Sequence, residues 1–193
     1  MKKFVTILAF VAAIFGAQAA PVVFTAVLDG PSEAPPNASP ATGMATVIFD
    51  IVAHTMSVDV TFDDLIGLTT AAHIHCCTVA PGTGTSGVAT VTPSFTGFPL
   101  GVSSGSYSHV YDMSLAGSYS AGFIAAHGGT VASAEADLYG GMLAGRSYFN
   151  LHSSVFPGGE IRGFLAAVPE PSSLALLGLG LAALAMRGRR RVS

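Results

Sequence analysis

Alternation of apolar and polar residues is strongest between residues 44 and 63. In "MSVDVTFDD", Met56, Val58, Val60 and Phe62 fall on one side of an extended chain, and Ser57, Asp59, Thr61 and Asp63 on the other. A period of two marks a strand with one face in water. "MATVIFDI" (44–51) is a second strand, and "AHT" supplies the turn, so 44–63 predicts a hairpin. "VVFTAVL" (22–28) predicts another strand, set apart by the Pro-rich loop "GPSEAPPNASPATG" (30–43). Further strands are expected at "AAHIHCCT" (71–78), "VATV" (88–91), "SYSHVYDM" (106–113), "RSYFNLHS" (146–153) and "EIRGFLAA" (160–167). Between the last two, Phe156-Pro157-Gly158-Gly159 has proline and glycine at the central positions, which predicts a type II turn and an antiparallel hairpin.

Helical spacing is clearest from Val131 to Ala144. Val131, Ala134, Leu138 and Met142 share a face, Thr130 can cap the start, and Gly145 follows the end. A shorter helix is expected over 119–126. The pattern as a whole predicts a mainly β domain, an antiparallel sandwich or barrel with a short helical insertion.

The two ends follow a different logic. "MKKFVTILAFVAAIFGAQAA" opens on Lys2 and Lys3, runs apolar from Phe4 to Phe15, and closes on Ala17-Gln18-Ala19. That is the order of a secretory signal peptide over residues 1–19, with signal peptidase expected to cut after Ala19. The apolar run is shorter than the roughly 20 residues that span a bilayer. At the other end, Pro169, Glu170 and Pro171 precede an apolar stretch over 174–186 and then Arg187, Arg189, Arg190 and Arg191. Cationic clusters stay cytoplasmic, so both ends place the segment between them outside. The tail 169–193 resembles a PEP-CTERM sorting signal: a Pro-Glu-Pro box, a transmembrane helix and an Arg-rich terminus. The resemblance implies an exosortase-type protease as partner and transient anchoring in the inner membrane. It further implies delivery to the cell surface or extracellular matrix of a Gram-negative bacterium, often one making exopolysaccharide.

Composition changes once those ends are set aside. Residues 20–168 contain two arginines, Arg146 and Arg162, against ten acidic residues, which leaves −8 where the whole chain carries −3. Lysine is absent from this segment. So acidic a domain repels phosphate backbones, which argues against nucleic-acid binding. Its length fits one domain, and with only two cysteines it has no disulfide framework. The loop "VAPGTGTSGVAT" (79–90) lacks the lysine and the spacing of a phosphate-binding loop.

"GMATVIFD", "AAHIH" and the closing "AGRSYFNLHSSVFPGGEIRG" resemble the CHRD domain, a module named from chordin and found in many exported bacterial proteins. The resemblance spans most of 22–166. It implies an all-β sandwich of the immunoglobulin or superoxide-dismutase type without an established catalytic activity. This chain departs from the pattern at His75-Cys76-Cys77-Thr78, where His-Gly-Pro-Ala is usual, and at Ser153.

Residues two apart on a strand share a face, so His73 and His75 can reach one ion, joined by Cys77 if the strand continues. His152 joins them if its strand is a neighbour. Superoxide-dismutase-like sandwiches hold copper and zinc with such a His-x-His pair and a distant third histidine, which makes copper or zinc the candidate cofactor. The bland alternative makes the histidines polar pillars that fix the loops. Cys76 and Cys77 can close a disulfide, act as a redox pair, hold a soft ion, or simply pack. Glu160 and Arg162 share a face by the same parity and suggest a structural ion pair. His54, His109 and His127 are expected to face solvent. No nucleophile or carboxylate pair stands in a convincing context, so the expected role is non-enzymatic: a surface or matrix protein that binds exopolysaccharide or other envelope components, or holds a metal ion.

Overall fold

Phe24, Ala26 and Leu28, then Ala45, Val47 and Phe49, then Met56, Val58, Val60 and Phe62, are all buried, and the residues between them are not. The alternation thus becomes the inner face of a curled antiparallel sheet. The computed structural model describes residues 20–169 and 177–182. Its strands are β1 (Val22–Asp29), β2 (Thr42–Asp50), β3 (Thr55–Asp63), β4 (Thr69–Cys76), β5 (Gly105–Asp112), β6 (Ser147–Ser153), β7 (Ile161–Phe164) and β8 (Ala166–Ala167). The order across the sheet is β4-β6-β7-β1-β2-β3-β5, with β8 beside β1. One curled antiparallel sheet forms a half-barrel, the mainly β architecture with a short helical insertion that the pattern predicts.

The open side lies between β4 and β5, and the connection between these strands fills it. Its Phe95 amide donates to the Ala72 carbonyl, and the Thr96 amide to the Tyr111 hydroxyl. The Phe95 ring packs on Tyr111, Tyr107 and Phe149 at centroid distances of 5.4, 6.0 and 5.8 Å. Phe98 adds contacts to Phe62 and Tyr107 at 5.6 and 5.1 Å. Two edge strands are thereby joined through aromatic side chains, which is how this sheet manages without closure.

Within the helical insertion, a 3-10 turn (Ala116–Ser118) leads to α1 (Ala121–Ala126) and α2 (Val131–Leu143). Thr130 and Ser133 form a capping box, and the end is a Schellman motif: Arg146 N donates to Gly141 O, Gly145 N to Met142 O, with Gly145 at φ 65°. Ala134, Leu138 and Met142 are fully buried, and α2 touches β4, β6 and β8.

Three local expectations change. "VATV" makes only isolated bridges, His75 with Val88 and Thr90 with Tyr119, because its amides and carbonyls serve β4 and α1 instead of a ladder of their own. The expected short helix starts at Ala121, since Tyr119 and Ser120 are extended and Ser120 is the cap. The 156–159 turn is closed by Gly159 N donating to Phe156 O, but the positive φ, 132°, falls on Gly159 and not on Gly158, so it is not type II.

Residues 1–19 and the Glu170 and Pro171 of the sorting box lie outside the described residues. Of the expected transmembrane helix over 174–186, residues 177–182 are helical. Among the described residues, no helix is long and apolar enough to cross a membrane.

Removing the ring that fills the open side tests this architecture. Phe95→Ala is expected to cost about 3–5 kcal/mol, the range for deleting a buried aromatic, read as a lowered urea midpoint with an unchanged slope.

Candidate metal centre

β4 and β6 are antiparallel neighbours, with His73 opposite Asn150, Ala71 opposite His152 and His75 opposite Tyr148. Ala72, Ile74, Phe149 and Leu151 are fully buried on the inner side. The intervening residues His73, His75, Tyr148, Asn150 and His152 therefore share the outer side of these two strands. This face is roofed by the β4–β5 connection and the turn between β6 and β7.

The roof orients the imidazoles. Nδ1 of His73 lies 3.2 Å from the Pro93 carbonyl, Nδ1 of His75 2.8 Å from that of Ser86, and Nδ1 of His152 3.0 Å from that of Pro157. A carbonyl only accepts, so each Nδ1 carries the hydrogen and each Nε2 keeps its lone pair. The Nε2 atoms of His73 and His152 are 2.9 Å apart, and the cluster offers one ligand atom from each histidine, all within 4.8 Å of one another. His75 Nε2 is buried without a hydrogen-bond partner. Two facing lone pairs and one orphan repel or waste one another unless something positive sits among them. Nitrogens bound to one copper or zinc ion at about 2.0–2.1 Å lie roughly 3–4 Å apart; the 2.9 Å pair is already that close, and the 4.8 Å limit of the cluster requires a small inward movement of a ring.

Charge on the rings themselves does not resolve the conflict. Burial first, and then the neighbouring imidazoles, push His73 down to about 3. Burial likewise lowers His75 to about 4 and lowers His152. At neutral pH all three are neutral, the state in which histidine binds metal.

Beside the histidines stands a stacked group that the sequence did not reveal. Tyr148 lies flat on His75, 4.6 Å between centroids at 4°, and the Arg162 guanidinium sits 4.8 Å above the Tyr148 ring. Arg162 also donates to the carbonyls of Ser32 and Gly84. Its carboxylate neighbour is Glu33, at 3.8 Å, and not Glu160. The parity argument for a Glu160–Arg162 pair fails because β7 begins only at Ile161. Glu160 instead accepts from Ser39 Oγ at 2.7 Å and from the amides of Ile66 and Gly67 at 2.6 and 3.3 Å. It thereby pins the loop that carries the chain from β3 to β4.

Cys77 does not join the histidines. β4 ends at Cys76, which points into the core, and Cys77 is bonded to it. The two sulfurs face α2, 3.9 and 3.6 Å from the Asp137 carbonyl, and an added Cβ on Gly141 would collide with both. His54 is exposed and His127 partly buried, and each is paired through Nδ1 at 2.8 Å, His54 with Glu135 and His127 with Asp137. The reason is α2, whose buried Glu135 and exposed Asp137 reach the two turns. His109 is exposed.

Glu33 is the other residue that sequence missed, because its approach to Arg162 joins distant parts of the chain through packing alone. Burial pushes it up to about 7, against the pull of Arg162. Glu33 Oε1 and Asn150 Oδ1 are both buried without partners and both crowd the space above Gly159. A carboxyl whose folded pKa is raised binds more protons folded than unfolded, so its contribution is complete below 4.5 and is lost as pH rises through about 7. Glu33→Gln is therefore expected to gain stability relative to wild type as pH rises across that window, measured by urea unfolding at stepped pH. A difference independent of pH would contradict this.

Comparison with known proteins identifies the family and the tail. Residues 24–165 match the CHRD domain family model, and residues 167–191 match the PEP-CTERM protein-sorting motif. No curated protein and no solved structure matches the chain. The chain belongs to the CHRD domain family and carries a PEP-CTERM tail, which makes it an exported protein sorted by an exosortase.

Proposed function

We propose that this exported CHRD domain holds a single copper or zinc ion through Nε2 of His73, His75 and His152, in a binding or structural role at the cell surface or in the matrix. One observation carries the reading: three neutral imidazoles, each fixed through Nδ1 by a backbone carbonyl, aim their remaining nitrogens at one another. An outer hydrogen bond on the distal nitrogen is the usual way a protein orients a metal-binding histidine. Imidazole suits copper and zinc, and three histidines leave a further coordination position for water or a partner group. When bound, the ion supplies a Lewis-acid charge. The chain's own part is to orient the rings and, through the stacked Tyr148 and the loops, limit access of water.

Export frames that role. We infer that signal peptidase removes residues 1–19, that the tail holds the chain at the inner membrane until an exosortase-type protease acts, and that the released domain meets exopolysaccharide or other envelope components. The −8 charge of residues 20–168 favours neutral or cationic partners over anionic ones.

Metal analysis separates the two roles of the histidines. The purified domain, dialysed against copper(II) or zinc(II), is expected to retain one ion per chain. His152→Ala is expected to weaken that binding on the order of 100-fold or more, the scale on which even outer-shell changes act. A wild type that retains neither ion would leave the histidines as hydrogen-bonded pillars. Processing is read separately from intact mass: protein from the envelope should begin at Ala20 and lack 174–186, and a species retaining both ends would oppose the sorting route.

A further inference from the structure

The Cys76–Cys77 disulfide lies between two cavities on the side of β4 opposite the histidines. One, of about 270 Å³, is lined by Cys77, His127, Asp137, Gly140 and Arg146 among others. The second, of about 320 Å³, is lined by Cys76, Gly87, Ser120, Gly122 and His127 among others. His127 is the one titratable side chain that these two linings share. Its Nδ1 donates to the Asp137 carboxylate at 2.8 Å, which holds the ring and leaves Nε2 to take up or release a proton.

Apart from Asp137, the helix wall of the first cavity is built from Ala136, Gly140 and Gly141, residues without bulk. Gly141 has a packing reason, since a Cβ there would strike both sulfurs. Gly140 has none: an added Cβ would meet no atom within 4 Å. Glycine inside a helix is less favourable than alanine, so Gly140 weakens α2 and gains only open space in the cavity it shares with Cys77. Gly87 and Gly122, in the second cavity, are equally unconstrained. Cys77 is the partly exposed sulfur and Cys76 the buried one, and an oriented imidazole and the cation of Arg146 line the cavity over Cys77.

We propose that Cys76–Cys77 is a thiol–disulfide exchange site for an external dithiol, with His127 as its proton carrier. A thiol of the dithiol enters the cavity over Cys77 and gives its proton to His127 Nε2. The resulting thiolate attacks Cys77 Sγ, the Cys76–Cys77 bond breaks, and Cys76 leaves with the electron pair and takes the proton from His127. The second thiol of the reagent then attacks the mixed disulfide at the reagent's own sulfur and releases Cys77 as a thiol. In sum the dithiol becomes a disulfide and the protein disulfide becomes two thiols. The attack follows the ordinary course of such exchange, in which attacking and leaving sulfurs are governed by access and charge.

The test follows reduction of the folded full chain by dithiothreitol, quenched with iodoacetamide and read by mass. Wild type is expected to react under native conditions. His127→Ala should slow the reaction at least about tenfold, a modest part of what positioned acid–base groups contribute. Gly140→Leu, which fills only open space and favours the helix, should slow it as well. A wild-type disulfide that stays intact in excess dithiol while the protein remains folded would overturn the proposal. So would a His127→Ala protein reacting at the wild-type rate or, if that variant does not fold, a Gly140→Leu protein doing so.

Discussion

The pairing of β4 with β6 is the constraint from which the rest follows. Register fixes which residues face the barrel, and a shift by one residue would exchange the two faces. With His73 opposite Asn150, the apolar set Ala72, Ile74, Phe149 and Leu151 enters the core, and the histidines are forced to the other side. The burial of those four side chains thus determines where the imidazoles go. No contact among the histidines needs to be favourable for the cluster to form, and among neutral rings the 2.9 Å approach of His73 to His152 is unfavourable in itself. The hydrophobic core holds polar groups where they would not settle alone, a common condition of binding sites.

Roofing the cluster takes the loops that the sequence leaves least defined. The carbonyls of Ser86 and Pro93 come from the β4–β5 connection and that of Pro157 from the turn between β6 and β7, and each fixes one imidazole. Arg162 ties the β1–β2 loop, through Ser32, to that same β4–β5 connection, through Gly84. In a domain with two cations, placing one under this roof is a large commitment, and a buried guanidinium demands partners. It receives carbonyls and the Tyr148 face as well as a carboxylate, so Glu33 is free to lean toward its neutral form. Loss of Arg162 would loosen both loops and strand Glu33 together.

The strands were legible because their alternation is strict: β1, β2, β3 and β6 fall within two residues of the expected spans. α2 was legible for a similar reason, since Thr130, Gly145 and the 131–142 face agree at every level. The His73, His75 and His152 grouping could be anticipated from parity alone, given that the two strands are neighbours. What parity cannot supply is where a strand stops. Glu160 and Cys77 each lie one residue beyond a strand end, and both were assigned partners that the extended pattern would have given them. The acids of α2 that hold His54 and His127, and the approach of Glu33 to Arg162 across 129 positions of sequence, depend on packing and leave no periodic trace.

The end of β4 explains why "HIHCC" is not one site. His75 turns outward to Ser86 and Tyr148, and Cys76, the next residue, turns inward to α2. The sheet itself separates the imidazoles from the sulfurs, although only one peptide links them. A metal held by the histidines therefore has no thiolate to compete for, and a reagent reaching the sulfurs through the cavity beside α2 need not pass the histidines. Chemistry at either face can change without obliging the other to follow, because the intervening Ile74 and Phe149 are fixed in the core. Adjacency in sequence, on a pleated strand, is a reason for two groups to act apart.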